Sequence, residues 1–132
     1  MSTDKTYRLL LVEDQDDIRK VFSLILSKSG FEVFDFATAP EALEHCQTQL
    51  PDAAIFDVDL GGKDGMELGV QIRSLPGGDK VVIATLTGND TVDCARKSRE
   101  LGFDFHFVKP IPMKDVCQSI RAKLEPERPI AN

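Results

Sequence analysis

The sequence has no run of apolar residues long enough to cross a membrane. A spanning helix needs roughly 18 consecutive apolar residues, and the apolar runs of this 132-residue chain are only a few residues long. The opening residues, MSTDKT, are polar and charged, unlike the apolar core of a secretory signal. We therefore predict a cytoplasmic protein that does not engage a membrane.

Cysteine and histidine are also scarce. The three cysteines, Cys46, Cys94 and Cys117, are odd in number and show no C-x-x-C spacing, which argues against a disulfide framework. We predict that they are reduced thiols on helices, where they fill small spaces in the core. The two histidines, His45 and His106, are too few for a zinc cluster.

Basic residues are fewer than acidic residues in this sequence. The chain has 16 Lys and Arg residues against 22 Asp and Glu residues, which gives a net charge of −6. Direct binding to nucleic acid needs clustered Lys and Arg, so we do not expect it here. The hydrophobic content of 42% is sufficient to fill the core of one ordinary domain without a structural metal.

The chain does contain apolar residues in two alternating periods. Residues 9–12 form a short continuous apolar run, typical of a strand that is buried on both faces. Apolar residues then recur at helical spacing. They are Ile18, Val21, Phe22, Ile25 and Leu26. Four more strand-and-helix pairs follow, with predicted strands over 31–36, 53–56, 81–86 and 105–108 and predicted helices starting near 39, 65, 89 and 113.

This alternation predicts an α/β fold with a parallel sheet and helices on both of its faces. The first, third and fourth strands are apolar apart from Thr85, whereas the second and fifth carry polar or charged residues. Apolar strands belong in the centre of such a sheet and mixed strands at its edges. The doubly wound (βα)5 order 2-1-3-4-5 places the strands in this way.

Polar residues follow four of the five strands directly. Glu13 and Asp14 follow the first strand, and Asp57 ends the third. Thr87 and Lys109 end the fourth and fifth. Ligands of open parallel sheets bind beyond the carboxyl ends of the strands, at the point where the strand order reverses. The five side chains are therefore expected to converge, although each taken singly could be a helix cap or a surface residue.

Three carboxylates in one cleft repel one another unless a cation or a proton compensates them. Oxygen ligands without Cys or His favour Mg²⁺, which often holds phosphate oxygens as well. A lysine and a hydroxyl beside them would supply a charge and a hydrogen-bond donor to an incoming phosphoryl group. Asp57 as a nucleophile that forms an aspartyl phosphate fits this arrangement.

Five spaced motifs resemble the response-regulator receiver domain of two-component signalling, of the chemotaxis-receiver type. They are Glu13-Asp14, Phe56-Asp57-Val58-Asp59-Leu60, Asp64-Gly65, Leu86-Thr87-Gly88 and Val108-Lys109-Pro110. The resemblance covers about residues 7–124 and implies a flavodoxin-like fold. It leaves residues 1–6 as a disordered N-terminus and 125–132 as a tail or the start of a linker.

The resemblance implies a function. Asp57 would accept a phosphoryl group from a sensor histidine kinase or a phosphotransfer protein, and the chain would catalyse only its own phosphorylation and dephosphorylation. Thr87 and Lys109 would contact the phosphoryl group, and the Lys109-Pro110 peptide is expected to be cis. The implied Mg²⁺ ligands are Glu13, Asp14, Asp57 and the backbone carbonyl of Asp59.

The resemblance also implies an output. Thr87 and His106 would form the switch, and the surface of the fourth helix, fifth strand and fifth helix would meet a partner, an output domain or a second copy of the chain. Asp59 and Asn89 would stand at the pocket rim. The chain departs from the usual pattern at Gly61, where the family has Pro, and at His106, where it has Tyr or Phe.

Other interpretations remain open on the sequence. Asp57-Val58-Asp59 resembles the D-x-D motif of haloacid-dehalogenase phosphatases, although that family places the motif after its first strand. The chain could also be a receiver-like interaction module that is never phosphorylated. It is expected to be either a stand-alone receiver or the front of a longer regulator whose linker starts near Pro126.

Overall fold

Five parallel strands form one sheet in the computed structural model, which describes residues 6–61, 63–88 and 92–125. The strands are β1 (Arg8–Val12), β2 (Glu32–Phe36), β3 (Ala53–Asp57), β4 (Val82–Thr87) and β5 (Phe105–Val108). The helices are α1 (Asp16–Lys28), α2 (Ala39–Thr48), α3 (Gly65–Arg73), α4 (Val92–Glu100) and α5 (Met113–Leu124). A short 3-10 helix covers Gly78–Lys80. The predicted alternation of strands and helices is confirmed.

The strand order in the sheet is β2-β1-β3-β4-β5. This is the order predicted for the five long strands, with the mixed strands β2 and β5 at the edges. The prediction omitted a two-stranded antiparallel hairpin, Asp59–Leu60 paired with Lys63–Asp64, which lies outside the main sheet. The hairpin follows β3 directly, so it begins at the carboxyl end of a central strand.

The central strands are buried on both faces because helices cover both. Leu9 and Leu11 of β1 pack in a core with α1 and α5, including Leu26 and Val116. The intervening residues of β1, such as Leu10, pack on the other face against α2 and α3. Successive side chains of a strand point to opposite faces, so an uninterrupted apolar run is what this double burial requires.

Two local features of the helices were predicted with different success. Thr38 caps α2 by accepting a hydrogen bond from the backbone N of Glu41 at 3.4 Å, as their capping-box spacing indicates. Val21 was expected on the core face of α1, but its side chain is 53% exposed. The core contacts of α1 are made by the buried Leu26 and the partly buried Phe22 and Ile25, a narrower stripe than the sequence spacing indicates.

The predicted disordered start and tail, 1–6 and 125–132, fall mainly outside the described residues. Within those residues, no helix has the length and apolar character that a membrane crossing demands. The carboxyl ends of β1, β3, β4 and β5 all open on one edge of the sheet, because the strands are parallel. That edge holds the candidate site.

Candidate functional site

A cavity of about 440 Å³ lies at the carboxyl edge of the sheet. Five of the predicted site residues line it together: Asp14, Asp57, Asp59, Thr87 and Lys109. They come from the ends of four strands or the residues that follow them, so the local position of each residue was sufficient to predict their convergence. Thr87 is buried at the end of β4, whereas Asp14 and Asp59 are exposed at the rim.

Asp57 is buried at the end of β3, and both of its carboxylate oxygens have partners. Oδ1 accepts a hydrogen bond from the backbone N of Asp59 at 2.9 Å. Oδ2 accepts a hydrogen bond from the ammonium of Lys109. A carboxylate held in this way keeps one orientation toward the cavity and is neutralised by one nearby cation.

The backbone around Asp57 is held by close contacts. The N–H of Val58 donates to the carbonyl of Leu86 on β4 at 2.8 Å, and the N–H of Gly65 donates to the carbonyl of Val58 at 2.7 Å. The second bond brings the start of α3 against the end of β3, a position where only glycine fits. The Asp64 side chain caps the same helix by accepting from the N of Met66 at 2.9 Å.

Lys109 is held at the end of β5 by its own backbone. Its N–H donates to the carbonyl of Thr87 at 2.7 Å, which joins the last residues of β4 and β5. The Lys109-Pro110 peptide is cis, as expected. The ammonium contacts Asp57 and lies 3.9 Å from a carboxylate oxygen of Glu13, so one cation serves two buried carboxylates.

Glu13 is buried beside this pair rather than in the cavity lining. Its Oε2 accepts a hydrogen bond from the N of Gln15 at 3.1 Å. Burial raises the pKa of the Glu13 carboxyl above its usual value. The bond from Gln15 and the charge of Lys109 act in the opposite direction, but burial outweighs them.

The residues at the cavity fit a hydrated Mg²⁺ ion. In 6–61, 63–88 and 92–125 no three acidic, His or Cys side chains form a complete ligand set by themselves. Mg²⁺ does not need one, because it keeps several waters and binds through one or two carboxylates. Asp14 and Asp57 line the same cavity beside Asp59, and the ligand atoms that their side chains provide are all oxygens. Such hard, anionic donors are the type that Mg²⁺ selects.

His106 is not in the lining of this cavity. The register of the sheet places it opposite Thr85 rather than Thr87, and Thr87 pairs with Val108. Its Nδ1 lies 2.7 Å from the hydroxyl of Thr85. Asn89, the other predicted rim residue, lies outside the described residues.

One of the residues that line the cavity was expected elsewhere. Cys94 of α4 was expected to be a core filler like the other two cysteines, but it is half-buried and lines the cavity. Cys46 and Cys117 are buried as expected. The exception arises because α4 begins beside the site, and helical periodicity gave no signal of which residue in its first turns faces the cavity.

Comparison with known proteins agrees with the resemblance seen in the motifs. The family model of the response regulator receiver domain matches residues 9–121. Sporulation initiation phosphotransferase F of Bacillus subtilis (strain 168) is 28% identical over 117 residues, which are 89% of this chain and 93% of that protein. A CheY-like response regulator receiver domain protein from Methanospirillum hungatei JF-1 has a crystal structure with a TM-score of 0.82 and 29% identity. That match covers 91% of this chain and 94% of the other.

Longer relatives match as well. Transcriptional regulatory protein AfsQ1 of Streptomyces coelicolor (strain ATCC BAA-471 / A3(2) / M145) is 37% identical over 117 residues. The match covers 88% of this chain but 50% of AfsQ1, so the chain spans about half the length of that relative. The motifs, the sheet order and the family match all lead to one assignment. The chain belongs to the response regulator receiver domain family.

Proposed function

We propose that the chain is a phosphorylation-dependent signalling switch whose Asp57 accepts a phosphoryl group in a Mg²⁺-dependent reaction. A sensor histidine kinase or a phosphotransfer protein is the proposed donor. The observation that carries the proposal is the setting of Asp57. It is a buried carboxylate at the end of a central strand, held by the Lys109 ammonium and the N–H of Asp59, at a cavity with room for a phosphoryl group.

In the proposed reaction a carboxylate oxygen of Asp57 attacks the phosphorus of a phosphohistidine. The new P–O bond forms as the P–N bond breaks, and its electron pair stays on the donor imidazole, which takes up a proton. The ammonium of Lys109 would move from carboxylate to phosphoryl oxygen, and the hydroxyl of Thr87 would donate a hydrogen bond there. Bound Mg²⁺, held by Asp14, Asp57 and the carbonyl of Asp59 near Glu13, would supply positive charge.

The proposed output is a change in the surface formed by α4, β5 and α5. We propose that this surface meets a downstream effector protein or an output domain, or pairs with a second copy of the chain. AfsQ1, named as a transcriptional regulatory protein, is about twice the length of the matched region, which supports an output domain in that relative. The described cysteines, none of which is in a disulfide, accord with action in the cytoplasm.

Phosphorylation by acetyl phosphate tests the acceptor. With Mg²⁺ present, intact-protein mass spectrometry should show one added phosphoryl group on the wild type and none on Asp57→Asn. Asp59→Asn is the matched control, because it removes a carboxylate from the same cavity without removing the proposed nucleophile. Neither the wild type nor this control should become labelled when Mg²⁺ is chelated before acetyl phosphate is added.

The same experiment separates the alternatives. Equal labelling of Asp57→Asn and the wild type would contradict the assignment of Asp57. A wild type that takes no label from acetyl phosphate or from a cognate kinase would favour the unphosphorylated interaction module. We expect no steady turnover of added phosphate esters, which would distinguish the chain from a phosphatase.

A further inference from the structure

Helix α4 is anchored to the core in an unusual way. Of its side chains at 93–100, the one that is fully buried is Ser98, with 1% of its surface exposed. Cys94 and Ala95 are half-buried, and the charged residues of the helix face solvent. A helix normally fixes its position through large apolar side chains on its buried face. Within residues 93–100 the deepest contact is instead made by a hydroxyl.

The Ser98 hydroxyl meets a short polar chain in the sheet. Its Oγ lies 3.4 Å from Oγ1 of Thr85, a residue of β4 that is completely buried. The same Thr85 oxygen lies 2.7 Å from Nδ1 of His106 on β5. Thr85 therefore links α4 to β5 through side chains. The contact with Ser98 is buried and the contact with His106 is partly buried, and hydrogen bonds away from water are stronger than those at the surface.

The chain starts close to the candidate site. Thr85 and Thr87 are two residues apart on β4, so their side chains lie on one face of the sheet. A displacement of Thr87 toward a phosphoryl group on Asp57 would move this face of β4. The Thr85 hydroxyl would then shift relative to both Ser98 and His106, and a hydroxyl with a single proton can donate to only one of them at a time.

There is space for such a rearrangement. A cavity of about 270 Å³ lies between α4 and β5, and His106, Ser98 and Ala95 are part of its lining. The charged groups at this cavity are Arg99 of α4 and Asp104 of the loop before β5. The ring of His106 borders this space, which leaves room for the ring to change its position.

We propose that Thr85 and Ser98 are positioning residues of the switch: their hydroxyls, with His106, couple the position of α4 to that of β5 when Asp57 is phosphorylated. The inference rests on the proposed function, because it needs the phosphoryl group as its trigger. It adds to the switch two residues that lie outside the phosphoryl-binding cavity. Thr85 acts through its hydroxyl and not through its bulk, which makes the proposal testable by conservative substitution.

Thr85→Val removes the hydroxyl and keeps the shape, whereas Thr85→Ser keeps the hydroxyl. Each protein is compared with and without acetyl phosphate and Mg²⁺. Mass spectrometry reports the phosphoryl group on Asp57, and hydrogen exchange of peptides from α4 and β5 reports the response. We expect wild-type labelling in both variants. The phosphorylation-dependent change in α4 exchange should fall by about twofold or more in Thr85→Val and be retained in Thr85→Ser, since one intramolecular hydrogen bond contributes at least about this factor.

Ser98→Ala provides a second variant at the other end of the chain, with the same expected loss. Val82→Ala is the matched control, because Val82 is buried in the core on the opposite face of β4 from Thr85. It should keep the full response of α4. Normal labelling with an undiminished α4 response in both Thr85→Val and Ser98→Ala would overturn the inference alone. Absence of label in the wild type would overturn the proposed function, and the inference with it.

Discussion

The carbonyl oxygen of Asp57 lies 2.0 Å from the position that a Cβ atom would take on Gly65. The contact is with backbone, so no side-chain rotation can relieve it. The start of α3 thus approaches the proposed phosphoacceptor more closely than any residue with a side chain would allow. Gly65 is therefore required by the position of the helix, and the resulting contact fixes the backbone that carries Asp57.

We expect Gly65→Ala to lower the free energy of unfolding by about 1–3 kcal/mol, the usual range for forcing atoms into a packed site. Urea denaturation measures the change. Gly88→Ala is the control, because a Cβ there would meet nothing within 4 Å. Its effect should stay within about 0.5 kcal/mol. Equal stability of the two variants would show that the Asp57–Gly65 contact is easily relaxed.

Glu13 should make the metal-free protein less stable as pH rises. Burial raises the pKa of its carboxyl, so the folded chain binds this proton more tightly than the unfolded chain does. The Glu13 carboxyl therefore contributes favourably to the free energy of unfolding below its unfolded pKa of about 4.5. This contribution is lost as pH rises through the higher pKa of the folded state. Glu13→Gln, which is always neutral, should be more stable than the wild type at neutral pH and about equally stable in acid.

Denaturation over a range of pH, with a chelator present, tests this sign. Glu44→Gln makes the same chemical change at an exposed position of α2 and should show no such pH-dependent gain. A Glu13→Gln variant that is less stable than the wild type at neutral pH would show that the ion pair with Lys109 outweighs the burial of Glu13. The variant should also bind Mg²⁺ more weakly, if Glu13 contributes to the site.

The three thiols should differ in reactivity. Burial raises the pKa of Cys46 to about 11 and also raises the pKa of Cys117, so both hold little of the reactive thiolate near neutral pH. Cys94 is half-buried and lines the 440 Å³ cavity. Alkylation of the native protein at about pH 8 should therefore modify Cys94 first.

Peptide mass spectrometry identifies the modified cysteine, and Cys94→Ser should remove the fast phase. Phosphorylation of Asp57 should slow the labelling of Cys94, because the group occupies part of the same cavity. Modification of Cys46 as fast as Cys94 would contradict the burial of Cys46 on the core face of α2.

Asp59 places a further negative charge at the mouth of the cavity. Removing this charge should help anionic donors to approach. We expect Asp59→Asn to increase the rate of phosphorylation by acetyl phosphate about twofold to fivefold at low ionic strength, with a smaller gain in salt. Asp79→Asn, an exposed change that precedes the start of β4 and so lies at the opposite edge of the sheet from the site, should have no effect. A gain that is independent of salt would exclude the electrostatic explanation.

Local patterns in the sequence were sufficient to predict which residues form the strands and where the candidate site lies. An apolar run buried on both faces can only be a central strand, and charged residues on a strand are tolerated at an edge. Parallel strands end at one edge of the sheet, so Asp57, Thr87 and Lys109 could be placed together from their positions after the strands alone. These are local rules, in which each residue is interpreted from its near neighbours.

Tertiary structure decided how the elements meet. The register of β4 against β5 places Thr85, not Thr87, opposite His106, and no local pattern specifies that pairing. The placement of α4 turns Cys94 to the cavity and buries Ser98, and that of α1 leaves Val21 exposed. Helical periodicity defines a face, but only packing against the rest of the chain determines which residues of that face are buried.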